Sequence, residues 1–158
     1  MDIEGTRTIS APPAVVFQLL TDPDVLKRTM PGLKSIVEVA PFHYRVHIEF
    51  GALGIKERYS GSLRIVDIDD HHAYRLLVDG QGSDGEFHSD VYVTLKAVDN
   101  KKTLLHYIGE GHADQSSGKS VILRKLLSKI GSAMMNQFFA GIAKEAQSFS
   151  HRSPPSDK

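Results

Sequence analysis

Between Leu33 and about Gly111 the chain keeps one rule: apolar and polar residues alternate with a period of two, interrupted only by short turn-rich segments. In "HYRVHIEF", Tyr44, Val46, Ile48 and Phe50 fall on one side, and His43, Arg45, His47 and Glu49 on the other. The pattern continues with Tyr59, Gly61, Leu63 and Ile65, then Tyr74, Leu76 and Val78, then Phe87, Val91, Val93, Leu95 and Ala97, and finally Leu105 and Tyr107. A strand buried on both faces would read as a continuous apolar run. Strict alternation instead requires a sheet packed on one face and solvated on the other, which is the antiparallel arrangement. The breaks "DIDDHH", "GQGSDG" and "AVDNKKT" are hairpin-length and rich in Asp, Asn and Gly, so successive strands are neighbours.

After the last strand the period changes. From about Lys119 to Phe149 apolar residues recur at Ile122, Leu126, Ile130, Met134, Phe138 and Ile142, the stripe of an amphipathic helix, with a bend expected near Gly131. At the other end, a strand from about Ile3 to Ile9 precedes two short helices. The first follows Pro12-Pro13 and carries "AVVFQLL"; the second is capped by Thr21 or Asp22 and ends before Pro31-Gly32. Strands followed by one long amphipathic helix make an α+β fold. A curved antiparallel β-sheet around a long C-terminal α-helix, with two short helices after the first strand, buries both apolar surfaces. The expected domain is residues 1–149, and 150–158, polar and Pro-rich, is expected to be a disordered tail.

Charge and cysteine usage narrow the chemistry. Lys plus Arg and Asp plus Glu are 19 each, so the field needed for general nucleic-acid binding is missing and no nucleic-acid partner is expected. The chain has no Cys, which removes disulfides, zinc–thiolate sites and thiol nucleophiles. No signal-like N-terminal run and no membrane-spanning run is visible, so a cytoplasmic location is expected, with peripheral contact at the inner face of the membrane as the further possibility. "ADQSSGKS", Ala113 to Ser120, fits a relaxed phosphate-loop pattern between a strand-like and a helix-like run. Such a loop belongs to a parallel sheet with a later strand to hold magnesium. Here hairpin strands precede it and no strand follows, so the segment reads as a turn into the helix and no nucleotide is expected.

Several strings carry a family likeness. "GTRTISAPPAVVFQLLTDPDVLKRTMPGLKSIVEV", "YSGSLRIVDID", "GQGSDGEF", "TLLHY" and "NQFFAGIAKE", together covering about Met1 to Phe149, resemble the carbon monoxide dehydrogenase G-subunit family of the START-like, Bet v 1-like (SRPBCC) superfamily. The resemblance implies a helix-grip fold with an apolar cavity between sheet and helix, and no common catalytic set. It also implies an accessory role beside a molybdenum hydroxylase: assembly, membrane recruitment, or carriage of a quinone-like lipid.

Three candidate sites follow. In the cavity reading, Tyr44, Ile48, Tyr59, Leu63, Tyr74, Leu76, Phe87, Val91 and Tyr107 face Met134, Met135 and Phe138, with Pro31 and Leu53 at a mouth. Methionines adapt to varied apolar ligands, and tyrosine hydroxyls could orient a carbonyl; the competing reading of the same residues is a filled core. On the opposite face, pairing Leu95 with Leu105 sets His88 against His112 and Asp90 against Glu110, a set with zinc-type donors whose ordinary reading is a solvated polar face. Lys119, Arg124, Lys125 and Lys129 make a basic helix face suited to anionic lipid or an acidic partner, or simply to water. No nucleophile–base–orienter spacing is present, and no catalytic residue or cofactor is assigned. The leading expectation is a binding protein for a hydrophobic small molecule. The alternatives are a polyketide cyclase/dehydratase-like enzyme using the same cavity, and an interaction module with a filled core.

Overall fold

The computed structural model describes residues 2–52, 55–82, 85–115 and 133–148. β1 (Asp2–Ile9) leads into α1 (Pro13–Leu20) and α2 (Pro23–Thr29), followed by β2 (Leu33–Ala40), β3 (His43–Ala52), β4 (Ile55–Asp69), β5 (Ala73–Gly82), β6 (Gly85–Asp99) and β7 (Lys102–Gln115). A further helix, α3, covers residues 133–148. All neighbouring strands are antiparallel, in the order β1-β7-β6-β5-β4-β3-β2. β2 to β7 therefore form a meander of hairpins, and β1 closes onto β7.

The short helices are set by local chemistry. Pro12 and Pro13 open α1, where missing N–H groups cost nothing. Thr21 closes it, its Oγ1 donating to the Phe17 carbonyl at 2.9 Å. Asp22 caps α2, accepting from the Asp24 N–H at 2.9 Å, with Asp24 in the first turn and Lys27 and Arg28 in the last, all favourable to the helix dipole. The two residues offered as caps thus divide the work. Gly32 then adopts φ 82°, a left-handed turn open to glycine, and its carbonyl accepts from the Glu49 N–H at 2.8 Å.

β4 and β6 are 15 residues long and β7 is 14. Straight, 15 residues would reach about 50 Å, too long for a domain of this size, so these strands must coil. Gly61 and Gly109 mark where they do. A Cβ on Gly61 would collide with the Asp79 carbonyl and Gly80 Cα, and one on Gly109 with the Asp90 carbonyl and Val91 Cα. Only glycine lets each strand press this close to its neighbour. Bulges between Val66 and Asp69 in β4, and Ala97 and Asp99 in β6, add to the bend.

One continuous core lies on the inner face of the sheet, beneath α1, α2 and α3, and includes Ile9, Leu20, Leu26, Leu63, Leu105, Phe138, Phe139 and Ile142. Besides burying Phe138, Ile142 and Ala146 in that core, α3 meets β7 and α2 directly. Phe139 stacks on Tyr107 with centroids 4.6 Å apart, Gly141 lies against Thr29 of α2, and Arg28 binds Glu145 at 2.8 Å. Tyr107 in turn lies across Gly5 of β1, so sheet edge, β7 and α3 share one aromatic contact. At the β1–α1 corner, fully buried Thr103 donates to the Ala11 carbonyl at 2.7 Å. No helix among the described residues is long and apolar enough to cross a membrane.

Candidate functional site

The inner face holds most of the residues expected to form a binding surface. Tyr44, Ile48, Tyr59, Leu63, Tyr74, Leu76, Val91, Tyr107 and Phe138 are buried. Phe87 and Met135 are half-buried against the core, and Met134 is half-buried. Pro31 is half-buried, and Leu53 lies outside the described residues.

Register explains which of these meet. Tyr44, Leu63, Val78 and Ser89 form one cross-strand row, and Leu76 pairs with Val91 in another. Toward the end of the sheet where β6 begins, Phe87 lies over Gly80, Tyr59 lies against Gly82, and the two rings meet edge to face at 5.0 Å. Toward the α1 end, Tyr74 meets Phe17 edge to face at 6.1 Å. Aromatic groups therefore stand at both ends of the inner face, with Tyr44 and aliphatic and small side chains between them. Tyr107 belongs to neither group, because its ring is committed to Gly5 and Phe139 as a helix anchor. Sequence reasoning left Phe17 and Phe139 out of the site, although both stand in apolar helical stripes, Phe139 directly beside Phe138.

Burial reinforces the ordinary protonated state of these phenols. It pushes Tyr74, fully enclosed, far above the usual tyrosine range; it also raises Tyr44, helped by the negative charges of Glu38 and Asp22. Both stay protonated at neutral pH. They can donate a hydrogen bond to an acceptor, and they are poor proton acceptors.

The outer face carries the second candidate cluster. β6 and β7 pair Leu95 with Leu105, His88 with His112, and Asp90 with Glu110. The four nevertheless do not converge: His88 and Asp90 turn to β5, and His112 and Glu110 pair with each other. His88 Nδ1 lies 2.6 Å from Asp79, Asp90 takes both oxygens to Arg75 Nη1 at 3.0 and 3.1 Å, and His112 bonds Glu110 at 3.0 Å. Among the described residues no three His or carboxylate groups could hold a metal ion. Around them runs a groove of about 450 Å³ whose floor includes Leu77, Tyr92 and Ile108. The Asp79 hydrogen bond, joined by Glu86, raises the His88 pKa against a smaller opposing effect of burial. Ala113–Gln115 end β7, while residues 116–120 of the phosphate-loop pattern and the basic set Lys119, Arg124, Lys125 and Lys129 lie outside the described residues.

The family model for the G subunit of carbon monoxide dehydrogenase (CoxG) matches residues 5–147. The chain belongs to the CoxG family. Solved structures with the same architecture include a conserved protein from Geobacillus kaustophilus, at TM-score 0.84 and 22% identity over 94% of this chain and 97% of that one. The Zhui aromatase/cyclase from Streptomyces sp. R1128 follows at TM-score 0.76 and 13% identity over 99% of both chains. A START superfamily protein from Mycobacterium smegmatis superposes at TM-score 0.69 and 11% identity, covering 94% of this chain and 98% of that one. These structures place this CoxG family member in the START-like fold. No curated protein matches it in sequence.

Proposed function

We propose that this CoxG family member binds a hydrophobic small molecule, lipid-like or quinone-like, on the inner face of its sheet, and serves as an accessory to the assembly or membrane recruitment of a molybdenum hydroxylase. The observation that supports binding most directly is that the largely apolar inner face carries several tyrosines, with Tyr44 and Tyr74, whose phenols burial raises further above neutral pH, among them. A phenol that stays protonated offers a hydrogen bond to a carbonyl or ether oxygen, which matches an apolar ligand with a few acceptor atoms. The accessory role rests on family membership.

A second reading, a cyclase or dehydratase acting on polyketides, is favoured by the likeness to the Zhui aromatase/cyclase. The raised phenols count against it, because a general base needs a pKa near the working pH. Native mass spectrometry after incubation with menaquinone or long-chain lipids tests the binding proposal. A retained ligand is the expected result, with at least about fivefold weaker retention in Tyr44→Phe and Tyr74→Phe, since one hydrogen bond is worth about 1 kcal/mol. No retained ligand would mean that the inner face is a filled core and the protein an interaction module. Turnover of a poly-β-keto thioester would establish the enzyme instead.

A further inference from the structure

The outer face of the sheet is electrically divided. Its outward positions on β2, β3 and β4, short of the bulge after Val66, present Lys34, Arg45, Lys56, Arg58 and Arg64 against Glu49. On the other side of β5, the outward positions of β6, β7 and β1 present Glu86, Asp90, Glu110, Asp2 and Glu4. Near the hairpin tips the polarity inverts on both sides, with Lys96 on β6 and Asp67, Asp69 and Asp70 where β4 turns. β5 is the dividing line and carries both signs, Arg75 and Asp79, on either side of Leu77. Close to that line the face is apolar: Leu77 and Val66 are half-exposed, and Tyr92 and Ile108 are paired across β6–β7 and are 39% and 44% exposed.

We propose that this face is a self-complementary docking surface for a second copy of the chain, related by a two-fold axis running along β5. Charge selects the axis. Two sheets packed face to face by a two-fold across the strands would set basic strands on basic strands. A two-fold along β5 exchanges the halves, so that β4 faces β6, β3 faces β7 and β2 faces β1. It also keeps height along the strands. Arg64, level with Leu77, then comes opposite Asp90 of the other copy; Val66 comes opposite Tyr92, and Lys96 opposite the Asp67–Asp70 turn. Leu77 meets its own counterpart on the axis. Laid flat, six strand spacings by about ten residues would cover on the order of 900 Å²; because the sheet coils, two such faces meet over only the part nearest β5, which suits a weak, small interface. An apolar centre inside a charged rim is the usual anatomy of such a contact. The surface lies on the far side of the sheet from the proposed ligand, so the two proposals stand or fall separately.

Sedimentation equilibrium of the full chain is the first test. A monomer–dimer equilibrium at about 100 µM protein in low salt is expected, with Kd rising at least about tenfold between 50 and 500 mM NaCl, because the rim charges are screened. The double variants Arg58→Glu/Arg64→Glu and Asp90→Lys/Glu110→Lys should each be monomeric alone and form a heterodimer when mixed. That rescue also shows both variants to be folded. The absence of Cys allows the axis to be located. Leu77→Cys should cross-link to itself with a short bis-maleimide, whereas Val37→Cys, on β2, should not. A wild-type chain that stays monomeric in low salt would overturn the proposal, as would reversal variants that dimerise alone or a mixture that does not associate.

Discussion

At the scale of single residues, the molecule turns on places where one atom more or less decides the backbone path. Gly61 and Gly109 lack the Cβ that would strike the neighbouring strand, so each is a site of strand coiling. Gly61→Ala is expected to cost about 2 kcal/mol, the usual range for overpacking, measurable by urea denaturation; an unchanged midpoint would show that the sheet relaxes around the methyl. Thr103→Val should cost about 1 to 3 kcal/mol because it leaves the Ala11 carbonyl buried without its donor. His88 shows a titrating effect. Its folded pKa is raised, chiefly by Asp79 and secondarily by Glu86, so its contribution to stability is fully present below about 6.5 and is lost as pH rises through the folded value. Arg64 also faces Asp79, at 3.8 Å, and His112 lies directly across from His88. The Tm difference between wild type and His88→Gln should therefore be largest near pH 5.5 and shrink toward pH 8; a difference that grows with pH would refute this account. The alternation showed that His88 faces outward. Its choice of Asp79 over His112 depended on side-chain geometry across a different strand pair.

At the scale of elements, α3 is held less by its own propensity than by what it touches. Phe139 is fully buried, stacked on Tyr107 and packed against Phe138 at 4.8 Å. Phe139→Ala should cost about 3 to 5 kcal/mol by opening a cavity under the helix, with the loss read by thermal unfolding. Gly141 allows α3 to approach Thr29, so Gly141→Leu should push α3 off α2. Amide exchange in residues 133–148 would rise well above that of β4 and β5, and uniform protection would contradict it. The exposed Arg28–Glu145 pair, by contrast, is worth well under 1 kcal/mol, and Arg28→Ala should barely move the unfolding midpoint. The existence and order of these elements was legible, since periods of two and of 3.6 are written directly into the sequence. The close approach at Gly141 was not, because a helix stripe shows which face is apolar but not which neighbour it meets.

At the scale of the whole molecule, a single sheet separates two chemistries. Its inner face is apolar with a few protonated phenols; its outer face is charged and divided along β5. Enlarging an inner residue, as in Val91→Trp, should reduce retention of menaquinone or lipid several-fold while leaving outer-face association unchanged, and loss of both together would indicate misfolding. The sequence by itself determined the fold class, the strand order within the meander, the sidedness of nearly every strand residue and the family likeness, because alternation, turn chemistry and capping are local. It also placed Tyr44, Tyr74, Leu76 and Val91 on one face. Only the tertiary structure decided that Tyr107 anchors α3 across Gly5 by stacking on Phe139, that Phe17 joins Tyr74 at one end of the inner face, and that His88 and Asp90 turn to β5 while His112 and Glu110 pair with each other. Those outcomes depend on contacts between elements far apart in the chain. There, the twist of the sheet and the reach of each side chain, which no periodicity encodes, select one neighbour from several at similar distance.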